Sequence, residues 1–167
     1  MLKHIVVTGA KQVGKSTLVN QYLQKRGVPY AGYRTKRIAT TNAGPIYALE
    51  SILTGKKQAI SAYCDGKIQG LSATFDSFGT NVVHIAMHTD ASILLFDEIG
   101  RFERNSKPFL CAINEAFSCG KQVIVVLKKE ELPHLIRIRQ RKDICLLDLD
   151  IMSYEQAWEQ LIGGMEV

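Results

Sequence analysis

A glycine-rich segment near the start of the chain matches the spacing G-x-x-x-x-G-K-[ST] at every constrained position. The two glycines of this pattern, Gly9 and Gly14, let the backbone turn tightly and approach phosphate oxygens without an intervening Cβ. Backbone N–H groups of the loop can then surround an anion, Lys15 can reach the β- and γ-phosphates, and the Ser16 hydroxyl can ligate Mg²⁺. The predicted phosphate-binding loop comprises Gly9, Ala10, Lys11, Gln12, Val13, Gly14, Lys15, Ser16 and Thr17.

Two adjacent acidic residues, Asp97 and Glu98, follow an apolar segment that is predicted to be a strand, Ser92–Phe96. Ligands in open α/β sheets lie at the carboxyl ends of the strands, so these side chains are expected beside the phosphate-binding loop. In that position Asp97 would hold Mg²⁺ together with Ser16, and Glu98 would orient and deprotonate a water molecule that attacks the γ-phosphate. The alternative is that the two acids only mark where a strand leaves the core.

This chemistry needs a strand before the phosphate-binding loop and a helix after it, and the sequence predicts both. His4–Thr8 is a mostly β-branched run that stops at Gly9, and Lys15–Arg26 carries apolar residues at three- and four-residue steps. From residue 91 onward, strand-like apolar segments alternate with helical patterns, which indicates a mostly parallel sheet covered on both faces. The predicted strands are Ser92–Phe96, Gln122–Leu127 and Ile144–Leu149, and the predicted helices are Lys107–Cys119, Glu130–Arg141 and Ser153–Ile162.

The middle of the chain, residues 30–88, is less regular and is predicted to form short, mostly antiparallel strands attached to the main sheet. Asp65-Gly66 between two short β-type runs is a typical hairpin signal. Asn81–His88 shows no clear helical pattern. Residues 1–167 are therefore expected to form one α/β domain of three layers, with a mostly parallel central sheet and a small antiparallel β insertion.

Length and composition exclude several classes of protein. The 167 residues are 46% hydrophobic and 22% charged, which suits a globular domain and not a disordered or collagen-like chain. No apolar run reaches the roughly 18 residues that a membrane helix needs, and the first residues do not form a signal peptide, so a cytoplasmic protein without a membrane partner is expected. The net charge of +5 suits a phosphate-bearing partner. The four cysteines lack metal-ligand spacing, and Cys111 and Cys119 are expected to be buried.

The two acids belong to a longer string, Asp97–Glu103 (D-E-I-G-R-F-E), which is followed by Phe109 in a predicted helix. Together with Gly9–Ser16 and Gly32–Thr35, this string resembles the small P-loop nucleoside-triphosphatase family that was first described from thermophiles and that includes the cancer-related nucleoside-triphosphatase. The resemblance implies a RecA-like P-loop fold, Mg²⁺-dependent hydrolysis of ATP, GTP and other nucleoside triphosphates, and slow turnover. The chain departs from the family pattern at Lys36-Arg37, where the family usually has an acid and an arginine.

Basic residues form a third group of candidates, since a cation commonly stabilises the charge on a transferring phosphoryl group. Lys128 follows the predicted strand Gln122–Leu127 at the same sheet edge as the phosphate-binding loop, and it is the preferred candidate to contact the nucleobase or a phosphate. With Glu98 and Lys15 it makes up the predicted catalytic set. The arginine candidates are Arg34, Arg101, Arg137, Arg139 and Arg141, and a run such as the last three is more often a solvated helix face.

Three functions remain open at this point. A nucleoside-triphosphate phosphohydrolase is favoured because Glu98 directly follows the predicted magnesium ligand, and a hydrolase needs a base for water. A small-molecule or nucleotide kinase could use the same loop, with the basic helix of residues 130–141 as a lid. A nucleotide-dependent module that binds nucleic acid is disfavoured, because the sequence lacks a stripe of stacking aromatic and basic residues. The sequence leaves the oligomeric state open.

Overall fold

The structure of the protein is a computed structural model that describes residues 3–165. The strands are β1 (His4–Thr8), β2 (Tyr30–Thr41), β3 (Gly44–Ser51), β4 (Lys57–Ala59), β5 (Ser61–Cys64), β6 (Lys67–Gly70), β7 (Ile93–Ile99), β8 (Gln122–Leu127) and β9 (Ile144–Asp148). The helices are α1 (Lys15–Arg26), α2 (Ser72–Thr74), α3 (Thr80–Met87), α4 (Lys107–Ala116), α5 (Pro133–Arg139) and α6 (Tyr154–Gly163), and a π-helical turn, Phe75–Gly79, joins α2 to α3. Across the described residues, every helix is too short or too polar to cross a lipid bilayer.

Seven strands form one sheet in the order β4-β3-β2-β7-β8-β1-β9. The five strands from β2 to β9 in this order are parallel to one another, while β3 and β4 extend the sheet beyond β2 in antiparallel fashion. β5 and β6 form a separate two-stranded antiparallel sheet. This arrangement confirms the predicted α/β class, with a mostly parallel central sheet and a small antiparallel insertion.

Alternating side chains along the central strands fill two apolar cores, one on each face of the sheet. On β1, Ile5 and Val7 belong to the core that contains residues of α1 and α6, and Val6 belongs to the core that contains residues of α3, α4 and α5. Successive side chains of a strand point to opposite faces, so one strand contributes to both cores. The sheet between two helical layers gives the three layers that the sequence predicts.

The hairpin predicted at Asp65-Gly66 joins β5 to β6. Asp65 and Gly66 have φ angles of 50° and 71°, and positive φ at both central residues is what the tight two-residue turn requires. β2 and β3 form a longer hairpin, paired from Tyr33 opposite Ser51 to Thr41 opposite Gly44. The antiparallel part of the middle segment is therefore predicted correctly.

Residues 72–87 are helical, which corrects the expectation of strands in this part of the middle segment. α2, the π-helical turn and α3 follow one another, and Val82, Val83 and Ala86 of α3 are buried in the core shared with α4. Neighbouring valines lower helix propensity slightly, so the local pattern does not indicate a helix. Burial of one face against α4 stabilises the helix in spite of this.

The bounds of α1 and β8 agree with the prediction, whereas α5 is shorter than the predicted helix of residues 130–141. Pro133 occupies the first turn of α5, where its missing N–H costs nothing, and Leu132 before it has an extended backbone. β7 continues past Phe96 to Ile99 and therefore includes both acids of the candidate site.

α4 ends at Ala116, before the predicted end at Cys119. Cys111 and Cys119 are exposed, which corrects the expectation that they are buried. Cys111 lies outside the face of α4 that packs into the core, and that face consists of Phe109, Ala112, Ile113 and Ala116. α6 begins as predicted, with Ser153 and Gln156 forming a reciprocal capping box.

Candidate active site

The predicted phosphate-binding loop joins β1 to α1 and forms one wall of a cleft of about 860 Å³. Gly9 and Gly14 have φ angles of 141° and 104°, which residues with a Cβ rarely adopt. Val13 packs against the core shared by α1 and α6 and is the one predicted loop residue that does not face this cleft among the described residues. The other eight line it: Gly9, Ala10, Lys11, Gln12, Gly14, Lys15, Ser16 and Thr17.

Lys15 places its ammonium group inside the loop. Lys15 Nζ donates hydrogen bonds of 2.9 Å to the Gly9 carbonyl oxygen and 2.8 Å to the Ala10 carbonyl oxygen. Both acceptors are neutral, so these bonds orient the ammonium group without cancelling its charge. The first turn of α1 also presents backbone N–H groups that have no acceptor within the helix. The loop can therefore attract and hold an anion such as a phosphate.

Ser16 and Asp97 meet at the edge of the sheet where β1 and β7 end. Ser16 Oγ donates a 3.3 Å hydrogen bond to Asp97 Oδ1, and Arg34 Nη1 lies 3.7 Å from Asp97 Oδ2. Burial raises the pKa of Asp97, while the hydrogen bond from Ser16 and the charge of Arg34 oppose this change. A hydroxyl and a carboxylate are hard oxygen donors of the kind that Mg²⁺ takes together with phosphate oxygens and water. The chemistry of this donor pair therefore fits a magnesium ion.

Glu98 reaches the cleft through an irregularity in β7. The register between β7 and β8 shifts between Asp97 and Ile99, so Glu98 is an extra residue inserted between two paired ones. The Asp97–Glu98 peptide bond is cis. The register shift lets Ile99 join Phe96 in the same apolar core, although strict alternation would send these two side chains to opposite faces. Glu98 lines the cleft.

The charge state of Glu98 reflects opposing influences. Burial raises the pKa of Glu98, and the ammonium groups of Lys128 and Lys15 act in the opposite direction. Because burial raises its pKa, the Glu98 carboxylate is a stronger proton acceptor than an exposed glutamate. The nearby lysines still favour its ionised form. Such a group can accept a proton from a water molecule in the cleft.

The two lysines after β8 have different surroundings. Lys128 lines the cleft, and its Nζ lies 3.5 Å from Glu130 Oε1. Lys129 also lines the cleft, but its Nζ donates hydrogen bonds of 2.8 Å to Asp148 Oδ2 and 3.0 Å to Asp150 Oδ2. Asp150 Oδ1 in turn accepts a 2.8 Å hydrogen bond from the Ala10 N–H, so this carboxylate ties the phosphate-binding loop to the end of β9. The sequence does not single out Asp150, which stands in no recognisable motif.

Glu103 is a second acidic residue of the cleft that the sequence analysis gave no role. Its side chain is 3% exposed, and its Oε1 accepts a 2.8 Å hydrogen bond from the Gly100 N–H. Burial raises the pKa of Glu103 to about 7. The signal that could have identified it is its fixed place in the string Asp97–Glu103.

The arginine candidates divide into those near the site and those away from it. Arg101 lines the cleft, and Arg34 lies beside Asp97. Arg139 pairs with Glu131 at 2.8 Å, and Arg141 pairs with Asp143 at 2.7 Å. Within residues 3–165, α5 contributes no residue to the lining of the cleft.

Comparison with known proteins identifies the family. Residues 4–162 match the model of the protein family described as NTPase. The chain belongs to this family. The Nucleoside-triphosphatase THEP1 of Methanosarcina acetivorans is 30% identical to it, and the match covers 94% of this chain and 93% of that protein. The Cancer-related nucleoside-triphosphatase homolog of Mus musculus is 25% identical, with 86% of each chain covered.

A solved structure confirms the fold of this NTPase-family chain. The crystal structure of THEP1 from the hyperthermophile Aquifex aeolicus superimposes with a TM-score of 0.72 at 19% identity, covering 95% of this chain and 98% of that one. The three-layer P-loop fold implied by the resemblance is therefore correct. The resemblance itself, which rests on the glycine-rich loop and the string Asp97–Glu103, is confirmed by the family match.

The cleft also has an apolar wall in this member of the NTPase family. It comes from the antiparallel insertion and from the turn after β7, where the rings of Tyr47 and Phe102 lie 6.0 Å apart. The apolar side chains are Pro45, Tyr47, Ile60, Tyr63, Ile68 and Phe102. Phe102 belongs to the string Asp97–Glu103, whereas the other five stand in no motif and come together only through the pairing of the insertion.

Proposed function

We propose that this member of the NTPase family hydrolyses nucleoside triphosphates to nucleoside diphosphates and inorganic phosphate, with Mg²⁺ held by Ser16 and Asp97 and with Glu98 as the general base. The observation that carries the proposal is the hydrogen bond between Ser16 Oγ and Asp97 Oδ1, with Glu98 next in the chain and facing the same cleft. The anion-binding loop, Ser16 and a proton acceptor thus line one cleft, and Asp97 is attached to it through its hydrogen bond with Ser16. The relatives named above are called nucleoside-triphosphatases without restriction to one base, so the proposal includes both ATP and GTP.

Phosphate binding is assigned to the loop and the start of α1. Lys15 would contact the β- and γ-phosphates, and the N–H groups of the first turn of α1 would donate hydrogen bonds to phosphate oxygens. Ser16 and Asp97 would hold a magnesium ion, which would supply positive charge to neutralise the phosphate oxygens. The eight loop residues that face the cleft provide the surface for this contact.

The chemical step needs a proton acceptor, and Glu98 fills this role. A water oxygen forms a bond to the γ-phosphorus, the bond between that phosphorus and the β–γ bridging oxygen breaks, and the water proton passes to a Glu98 carboxylate oxygen. The raised pKa of Glu98 favours acceptance of this proton. Lys128, which also lines the cleft, would neutralise charge on the transferring group.

The kinase alternative receives less support. It relies on the basic segment of residues 130–141 as a lid, but among the described residues only Glu130 of this segment lines the cleft. Arg139 and Arg141 already form ion pairs with acids at 2.8 Å and 2.7 Å. Among the described residues, Arg139 and Arg141 are therefore paired with acids that do not line the cleft.

Phosphate release from ATP, GTP, CTP and UTP, with and without Mg²⁺, tests the proposal on the purified protein. We expect release without an added acceptor, dependence on Mg²⁺, and a loss of at least roughly tenfold in Lys15→Ala, since a hydrogen bond to a charged group contributes about 1.5–3 kcal/mol. Lys25→Ala is the matched control, because Lys25 is an exposed lysine at the other end of α1. Release that needs an added phosphoryl acceptor would instead identify a kinase.

A further inference from the structure

Glu98 and Gly100, on either side of the paired residue Ile99, lie outside the regular hydrogen-bonding pattern of the sheet. The register shift in β7 leaves Glu98 as an extra residue, and Gly100 follows the last residue of the strand. A bulge disrupts the ladder locally, so the backbone groups of the bulge need other partners. The position of the Glu98 carboxylate therefore depends on groups outside the β7–β8 ladder.

Side chains of β2 hold the backbone of Glu98. The Glu98 N–H donates a 3.2 Å hydrogen bond to Thr35 Oγ1, and the Tyr33 hydroxyl donates a 3.4 Å hydrogen bond to the Glu98 carbonyl oxygen. Tyr33 is 1% exposed and stacks on Phe96, so its ring is fixed by packing. One side of the bulge is thus attached to the neighbouring strand.

Two further side chains hold Gly100, on the other side of the bulge. The Gly100 N–H donates a 2.8 Å hydrogen bond to Glu103 Oε1, and His134 Nε2 lies 2.6 Å from the Gly100 carbonyl oxygen. A carbonyl oxygen only accepts hydrogen bonds, so His134 Nε2 carries the proton and donates. Glu103 comes from the turn after β7 and His134 from α5, so two separate elements fix both polar groups of one glycine.

The space around Gly100 is also filled. A Cβ at this position would lie 3.2 Å from Lys128 Cδ and 3.8 Å from Glu98 Oε1. The side chain of Lys128 therefore packs against the same glycine that Glu103 and His134 bond. A displacement of Gly100 would disturb the carboxylate of Glu98 and the ammonium stem of Lys128 together.

We propose that Glu103 and His134 are positioning residues that hold Glu98 in place through their hydrogen bonds to Gly100. This proposal rests on the proposed function, in which Glu98 is the general base. Catalytic groups need placement to within a fraction of an ångström, and a 1 Å displacement can cost roughly a hundredfold in rate. α5 thereby acquires a role that differs from the predicted lid: it supports the catalytic turn from outside the cleft.

The first test removes and then restores the hydrogen bond from α5. We expect His134→Ala to lower kcat roughly ten- to a hundredfold while KM for the Mg²⁺–ATP complex stays within about twofold, since the loop that binds phosphate is not touched. His134→Gln keeps an N–H donor at a similar distance from the backbone and should restore most of the lost kcat. His84→Ala is the matched control, because His84 is an exposed histidine on α3 beside Glu115. An unchanged kcat in His134→Ala would overturn the proposal.

The second test asks whether His134 acts through Glu98. In a Glu98→Gln background the base is already absent, so His134→Ala should change the residual single-turnover rate by less than about twofold. An equal loss in both backgrounds would mean that His134 only supports the fold, and the positioning proposal would be wrong. A Glu98→Gln variant that turns over at the wild-type rate would contradict the proposed function instead, so the two failures are distinguishable.

Glu103 provides an independent measurement on the other side of Gly100. Glu103→Leu fills the buried space but removes the acceptor for the Gly100 N–H, and it should lower kcat in the same manner as His134→Ala. Glu103→Gln retains an acceptor oxygen and should recover most of this loss. If Glu103→Leu does not fold, the His134 variants decide the question, because His134 is only half-buried.

Discussion

Glu98 and Glu103 line the same cleft, but their surroundings act on the two carboxyl groups to different degrees. Burial raises the pKa of both groups, and it raises that of Glu103 to about 7. The ammonium groups of Lys128 and Lys15 are the main groups that lower the pKa of Glu98. For Glu103, the main group that lowers the pKa is the Gly100 N–H, through its hydrogen bond. Two glutamates five residues apart therefore suit different roles, one as a proton acceptor and one as a buried acceptor of a backbone hydrogen bond.

The raised pKa of Glu103 predicts a pH dependence of folding stability. Burial raises this pKa from 4.5 to about 7, so between these values the folded protein holds a proton that the unfolded chain has released. The contribution of Glu103 to folding stability is then greatest below pH 4.5 and falls as the pH rises towards 7. Relative to Glu103→Gln, which does not titrate, we expect the wild-type free energy of unfolding to fall by roughly 1–3 kcal/mol across this window. Urea unfolding of both proteins at several pH values measures this difference, and a constant difference would contradict the prediction.

The elements that the sequence predicts well are those with a strong local pattern. β8 and α1 have the predicted bounds, because an apolar run and an amphipathic repeat are each bounded by polar or glycine residues. α3 was missed because its helical character depends on burial of Val82 and Val83 against α4, which no local pattern encodes. The bulge at Glu98 was missed for a related reason, since a register shift is a property of two strands together.

The packing of α3 can be tested directly. Val83 is 0% exposed in the core shared with α4, whereas Ile85 on the same helix is 46% exposed. We expect Val83→Ala to reduce the free energy of unfolding by about 2 kcal/mol, because two buried methyl groups are lost and a cavity remains. Ile85→Ala is the matched control and should change stability by less than about 0.5 kcal/mol. Equal effects of the two substitutions in urea unfolding would mean that α3 does not pack as described.

At the scale of the whole molecule, the candidate site joins residues that are far apart in the chain. β8 lies between β1 and β7, and the carboxyl ends of these parallel strands share one edge of the sheet. Lys15, Glu98 and Lys128 therefore reach one cleft, and the sequence could predict this meeting from its alternating strands and helices. The apolar wall that includes Tyr47 and the Asp150 contact to the loop could not be predicted, because both depend on how distant segments pack and not on a motif.

In the proposed site, the loop binds the nucleotide and Glu98 accepts the proton of the attacking water. Glu98→Gln tests this separation of roles most directly. The substitution keeps the size of the side chain and removes its ability to accept the water proton. Two quantities are measured on the same preparation: binding of the Mg²⁺–ATP complex, by calorimetry or thermal shift, and the rate of phosphate release. Glu131→Gln is the control, because Glu131 is an exposed glutamate paired only with Arg139 among the described residues. We expect affinity within about threefold of wild type and a loss of phosphate release of at least roughly a hundredfold. Phosphate release at the wild-type rate would contradict the role of Glu98 as the general base.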